Sequence, residues 1–304
     1  MRAAVEGVAA SVEMHEEEGA GHWWDGDRAG GADCVDWPPA FELMAARTLP
    51  RPELTFDYRC PGAWYCRAYG PVRLDAAEDF ERDLYISAAP MGDAGWALTT
   101  DNVRRMTIDG GALIDAGITT LLVDEQMFEV EAGPMVIGPT EGKRPGQHGP
   151  LDEAFYRPFC FVYDTSTPAY AEIAAHLTTY WSFIGNGQAC AVPFDLINSA
   201  DLDGYNRIYL GVPAEDLDAT PDGITWGGDT ITVGGESQSE AALVAVFPES
   251  EGLSAIFWAT PGHEWLLPRA NPFGSRRSLP DYLVFGTDGG RAAGFFTPDW
   301  RLSR

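Results

Sequence analysis

Lysine is almost absent from this 304-residue chain: Lys143 is the only one, and arginine supplies the other 19 of its 20 basic side chains. Positive charge is scarce altogether. Twenty Lys+Arg face 46 Asp+Glu, a formal net charge of −26 with a pI near 4.3. A field of that sign repels phosphate backbones and anionic headgroups, which argues against nucleic acid and against a membrane surface as partners. Long apolar runs are missing too, with no stretch of the roughly 18 residues that a membrane helix needs. The opening, Met1 to Val12, is broken by Glu6 and Gly7 and lacks a signal-peptide apolar region. A cytoplasmic location is therefore expected, unless further sequence upstream changes it.

Cysteine is sparse. Cys34, Cys60, Cys66, Cys160 and Cys190 are odd in number, scattered, and contain no CxxC pair. That spacing excludes a full disulfide framework and a zinc knuckle. Cys60 and Cys66 lie close enough for one bridge in an oxidising compartment, but small buried hydrophobes in a reducing cytosol are the expectation. Neither a metal nor a cofactor is expected.

Apolar material is plentiful. Hydrophobic residues make up 45% of the chain, with 10 Trp, 11 Tyr and 15 Phe, which supplies a core and excludes global disorder. The length suggests one large domain or two ordinary ones. A large acidic excess with almost no lysine is also what a chain dispersed in concentrated salt looks like, because carboxylates hold water and counterions. GC-rich codons account equally for the arginine bias, though not for the acidity.

Along the chain the hydrophobic period changes twice. Ala3, Val5, Val8 and Val12 recur at helical spacing, and Trp37 to Arg47 reads as a helix entered through prolines. Leu54 to Val130 turns to period two. Strands are predicted at Leu54–Tyr58, Trp64–Leu74, Asp83–Ala88, Gly95–Thr99, Val103–Ile108, Thr120–Val123 and Met127–Val130, a small sandwich or open barrel. Gly138 to Pro150 is a Gly/Pro-rich connector. Pro158–Tyr163 is then a strand, and a helix from about Pro168 to Ile184 carries Tyr170, Ile173, Ala174, Leu177, Tyr180 and Trp181 on one face. Arg207–Val212 returns as a second strand of a βαβ-like unit. Ala242–Phe247, Ser254–Ala259, Tyr282–Phe285 and Ala292–Phe296 complete a mixed sheet. The expected class is α/β plus β, with segments 1–47, 48–137, a connector 138–157, and an α/β domain 158–304.

His22 is the best single candidate for chemistry. It sits in a glycine-flanked loop before Trp23, Trp24 and Asp25, the kind of loop on which α/β-hydrolases carry their general base. The alternative is a surface histidine stacked on a neighbouring tryptophan. No G-x-S-x-G elbow occurs, and Gly234-Gly-Glu-Ser237 lacks the closing glycine. A general base without a nucleophile does little hydrolysis. His148 with Asp152 and Glu153 falls short of a fourth metal ligand and reads as solvated polar side chains. Asp201, Asp203, Asp216, Asp218 and Asp222 lack the alternation of a calcium loop. Trp64, Tyr65 and Tyr69 read as core rather than a sugar platform. The pairs Gly227-Gly228 and Gly234-Gly235 read as hairpin turns.

The string from Met14 to Asp25, ending Gly-His-Trp-Trp-Asp, resembles the "PGxGHWWD" loop of prolyl-oligopeptidase-type α/β-hydrolases. Asp101-Asn-Val-Arg-Arg-Met-Thr-Ile-Asp109 and Leu121-Leu-Val-Asp-Glu-Gln126 are similar to strands that follow the catalytic domain in that family, with Glu125 in place of a usual glycine. Lys143-Arg-Pro-Gly-Gln-His-Gly-Pro-Leu-Asp-Glu-Ala-Phe155 resembles the family's "KxxGxxGPIDDAF" connector. Asn206–Gly211, Leu279–Val284 and Ala293–Trp300 resemble its last domain.

The resemblance implies that 1–47 is the C-terminal remnant of an α/β-hydrolase domain, followed by a β-sandwich-like domain and a mixed-sheet domain. His22 would be the triad base, with Trp23, Trp24 and Asp25 at the site. The serine and the acid would lie upstream of Met1, so the chain alone is expected to be inactive. A peptide or ester would be its substrate only once that upstream segment completes the site, and a protein partner would cover the apolar face of 1–47. The other reading is a non-catalytic binding or assembly module whose groove lies between its two domains.

Overall fold

The computed structural model describes residues 18–21, 37–47, 54–61, 68–249, 252–273 and 279–303. The chain divides into two compact units, Met1–Arg51 and Pro52–Arg304. In the first, helix α1 (Pro38–Ala45) starts through its prolines, as the sequence predicts. It buries none of its side chains, and Phe41, Leu43 and Met44 are each exposed by half or more.

The second unit opens with two sheets that share a core. Strands β1 (Phe56–Cys60), β4 (Leu84–Met91), β5 (Gly95–Asp101), β7 (Thr120–Val123) and β8 (Gln126–Glu129) form one sheet in that order. The other runs β2 (Ala68–Tyr69), β3 (Val72–Ala77), β6 (Val103–Asp109), β9 (Pro134–Ile137). Alternation explains the layering: along β4, Leu84, Ile86 and Ala88 are buried while Tyr85 and Ser87 are not. Those side chains meet Leu74, Met106 and Ile108 of the facing sheet in one cluster around Trp96. Each buried aliphatic contributes about 1.5–3 kcal/mol relative to exposure. The Trp96 indole, buried with them, donates to Leu54 O at 2.6 Å.

Most of the predicted strands lie within a few residues of their expected bounds. The run predicted over Trp64–Leu74 instead turns back at Gly70, whose φ of +59° suits the tight link between β2 and β3. Two short elements escape the period altogether. Helix α2 (Gly110–Asp115) is too short to show a pattern; Asp109 caps it, accepting from Ala112 N at 3.1 Å. Strand β9 begins with Pro134, tolerable because it lies at a sheet edge.

The remainder is a seven-stranded mixed sheet in the order β11 (Cys190–Pro193), β10 (Phe159–Tyr163), β12 (Asn206–Leu210), β17 (Gly252–Ala259), β16 (Ala241–Glu249), β18 (Tyr282–Gly286), β19 (Gly289–Gly294). The first four are parallel and the rest antiparallel. Covered strands read as continuous apolar runs: β16 is buried from Ala241 to Phe247 and β17 from Leu253 to Ala259. Helix α3 (Pro168–Gly185) buries Tyr170, Ile173, Ala174 and Leu177, four of the six residues predicted for its inner face. It ends at Asn186, a left-handed cap with φ +48°. A three-stranded meander, β13 (Ile224–Gly227), β14 (Thr230–Val233) and β15 (Glu236–Gln238), turns at the expected glycine pairs.

Two expectations are corrected here. The helix does not return to Arg207–Val212; it returns to β11, and β12 pairs on the opposite side of β10. Cys-Ala-Val-Pro is a short, half-buried edge strand closed by proline, too brief to register as a strand. The cysteines are also not all free. Cys160 and Cys190 face each other in register across β10 and β11, Cα atoms 4.7 Å apart, and are disulfide-bonded. Cys60 is disulfide-bonded as well. A pairing 30 residues apart is invisible while β11 goes unrecognised. Among the described residues, no helix is long and apolar enough to cross a membrane.

Candidate functional site

His22, Trp23, Trp24 and Asp25 lie outside the described residues, as do Trp64 and Tyr65. The densest chemistry within them is in the connector. It is not a solvated linker. Lys143, the only lysine, is 1% exposed, and Gln147 and His148 are buried beside it.

Lys143 Nζ lies 2.5 Å from Asp281 Oδ2, and both side chains are fully buried. The ammonium also sits 4.1 Å from the Phe80 ring centroid and 4.8 Å from that of Trp300, two electron-rich faces that suit a desolvated cation. Asp281 Oδ2 accepts again from Phe296 N at 2.8 Å. Gly149, with φ +75°, packs so closely on Asp281 Oδ1 that no Cβ would fit. Desolvation drives Lys143 below its ordinary value and Asp281 above its own, while the charge of each partner opposes the shift.

His148 joins this pair to the sandwich. Its Nε2 hydrogen-bonds the backbone carbonyl of Asp75, so Nε2 carries the proton, and burial lowers its pKa and keeps the ring neutral. Its backbone N donates to Glu153 Oε2 at 2.6 Å. Burial pushes Glu153 up to about 7 and Asp152 up to about 6. Asp75, wholly buried, accepts from Arg73 Nε at 2.7 Å and from the Thr107 hydroxyl, with Arg105 Nε at 3.8 Å.

The solvated reading of His148, Asp152 and Glu153 is corrected: His148 is buried and bonded to Asp75 O, and Glu153 and Asp152 are half-buried, Glu153 accepting from His148 N while Asp152 Oδ1 has no partner. No group of three or more His, Cys, Asp or Glu that could hold a metal occurs among the described residues. The aspartates at 201, 203, 216, 218 and 222 are exposed, as the sequence predicts. Ser237 lies on the exposed meander beside Thr232, 3.2 Å between hydroxyls.

The motif residues of the connector, strands and C-terminal segment meet around this network. Asn206 donates to Ala154 O at 2.8 Å. Lys143 N donates to Pro298 O at 2.7 Å, and Arg104 Nη2 pairs with Asp299 Oδ1 at 2.5 Å. Asn102 bonds the loop above it, with Nδ2 on Asp79 O at 2.8 Å and Oδ1 receiving Asp79 N at 2.7 Å. At the β7–β8 turn only Asp124 has positive φ, +51°, so Glu125 fills a position that needs no glycine. As chemistry, this arrangement is a clamp: each charged group faces an opposite charge or a backbone partner, and none is a nucleophile beside a base.

A second feature went unread in the sequence. A cavity of about 200 Å³ opens where β12 and β17 begin, walled by Arg157, Arg207 and Glu249 among others. Nothing in the spacing of Arg157, Arg207 and Glu249 signals it, because pairing across β10, β12, β17 and β16 assembles them.

No protein-family model matches the chain, and no curated protein does either.

Proposed function

We propose that the chain is the C-terminal portion of a prolyl-oligopeptidase-like serine hydrolase, a peptidase or esterase, in which His22 is the triad base and residues 54–303 form a non-catalytic body. The observation that supports this reading is convergence. Residues of the connector, the Asp101–Asp109 strand, Leu279–Val284 and Ala293–Trp300 lie far apart in sequence, yet they are linked through Lys143, Asp281, His148 and Asp75, and Asn206 joins the connector through Ala154 O. They are five of the seven segments on which the family resemblance rests; Leu121–Gln126 takes no part in the network, and the His22 loop lies outside the described residues. Scattered matches by chance have no reason to share one buried network. The exposed Phe41, Leu43 and Met44 on α1 further suit an element whose packing partners belong to a larger domain or a partner protein.

In this reading Trp23 and Trp24 help exclude water from the site, and Asp25 neighbours the base. No metal or cofactor takes part. A cytosolic location belongs to the same reading, although the Cys160–Cys190 bond weighs against a reducing compartment.

The test is a fluorophosphonate reporter of active serine hydrolases, applied to source-cell extract before capture with an antibody raised against residues 54–303. Labelling of the captured polypeptide, with hydrolysis at least ~10²-fold slower in a His22→Ala form, is the expected result. Capture of an unlabelled polypeptide overturns the reading. The second reading, a binding module without catalysis, is favoured by the Arg157–Arg207 cavity.

A further inference from the structure

Helix α3 is a surface helix with almost no charge. Its 18 residues carry one charged side chain, Glu172, and no Asp, Glu, Lys or Arg occurs from Ile173 to Phe194. That stretch of 22 residues is the longest of its kind in the chain, in a sequence 22% charged. Burial accounts for only part of it. Ile173, Ala174 and Leu177 face the core, while Ala175, His176, Thr179, Ser182 and Phe183 recur at three- and four-residue spacing along the exposed side. The solvent side of such a helix ordinarily carries the charge.

The apolar surface grows toward the C-terminal end of the helix. Phe183 is 85% exposed, Ile184 40%, and Leu196, just past the edge strand β11, 51%. An open groove of about 700 Å³ lies where the helix leads into β11, lined by Thr178, Thr179, Ser182, Phe183, Gln188 and Ala189, none of them charged. The Thr178 and Thr179 hydroxyls donate back to Ala174 O and Ala175 O, each at 2.8 Å, so covering this face strands neither of them. Cys190, next after Ala189, is bonded to Cys160 of β10, which fixes that wall of the groove to the sheet.

We infer that this face pairs with the same face of a second copy of the chain across a two-fold axis, with Phe183 of each copy seated in the other's groove. Two observations single out a second copy as the occupant. A projecting ring and a groove that can take it lie side by side on one surface, which is what an isologous contact requires. Electrostatics points the same way. Two chains of net charge −26 repel wherever their carboxylates meet, and a charge-free face is where two such surfaces can come together. An exposed apolar patch of this kind marks a contact surface. The inference does not rest on the hydrolase reading.

Sedimentation velocity of the whole chain at micromolar concentrations tests it. A species of twice 33.0 kDa is expected, and sodium chloride should tighten it by screening the like charges. Phe183→Glu puts a carboxylate into the contact and should weaken the dimer at least ~10-fold. Its circular-dichroism spectrum should be unchanged, because that side chain packs against little of its own chain. Met44→Glu, on the exposed surface of α1, should leave the dimer intact. A monomer at every concentration up to ~100 μM would leave the face to another protein and overturn the pairing of two copies. A dimer that survives Phe183→Glu, or that Met44→Glu dissociates, overturns it as well.

Discussion

At the residue scale, one side chain explains most. A protein with a single lysine has placed it where a surface charge would not go, inside an aromatic and carboxylate cage. Removing one member of a buried pair leaves the other charge without a counterion, which costs about 3–5 kcal/mol. Lys143→Met should therefore lower the unfolding free energy by that order in urea titrations. Adding Asp281→Asn should recover part of the loss, because asparagine is neutral and its oxygen still accepts from Phe296 N. A double variant no better than the single one would contradict the charge argument. Glu153 gives a pH signature. Its carboxyl titrates near 7 when folded and near 4.5 otherwise, so between those values the unfolded chain loses the proton first. Stability from this group falls as pH rises through that window, by roughly 3 kcal/mol at most, and is level above it. Neutral His148 acts in the opposite direction as pH falls, so the comparison must be with Glu153→Gln, whose melting temperature should decline less between pH 4.5 and 7. None of this was legible in the sequence. A Gly/Pro-rich connector reads as solvent-exposed, and only the fold reveals that two sheets close over it.

At the scale of elements the sequence carries more. The period-two runs of the sandwich and the apolar runs of β16 and β17 place themselves, and α3 declares both its start and its inner face. What fails is short: α2, β9 and β11 are each six residues or fewer, and β9 and β11 carry a proline besides. Missing β11 also hid the order of the parallel strands and the bond between Cys160 and Cys190. That bond closes a loop of 30 residues around α3. Loop-closure entropy gives it about 2–4 kcal/mol, so Cys160→Ala with Cys190→Ala should lower the melting temperature, and reductant should lower that of the parent protein by more than that of the double variant, which keeps the Cys60 bridge. Equal melting of the reduced and unreduced parent would contradict a stabilising bridge. The helix-to-strand return is legible in kind, an α/β unit, but the side of β10 on which each strand pairs is set by tertiary packing.

At the scale of the whole molecule, charge and ancestry are the two claims. With Lys143 buried, no described surface position carries a lysine, and arginine alone offsets the acidic exterior. If that exterior is an adaptation to concentrated salt, the melting temperature should rise as sodium chloride screens like charges, with its optimum well above about 0.15 M. An optimum below that value would leave the acidity without this explanation. The proposed ancestry rests on a resemblance of ordered motifs, and what the fold adds is that several of them are linked through one buried network. The most direct test of the account is the mass of the native polypeptide in its source cells, detected with an antibody against residues 54–303. The account predicts a species well above 33.0 kDa, carrying the upstream serine and acid that His22 would serve. A single species at 33.0 kDa would contradict it.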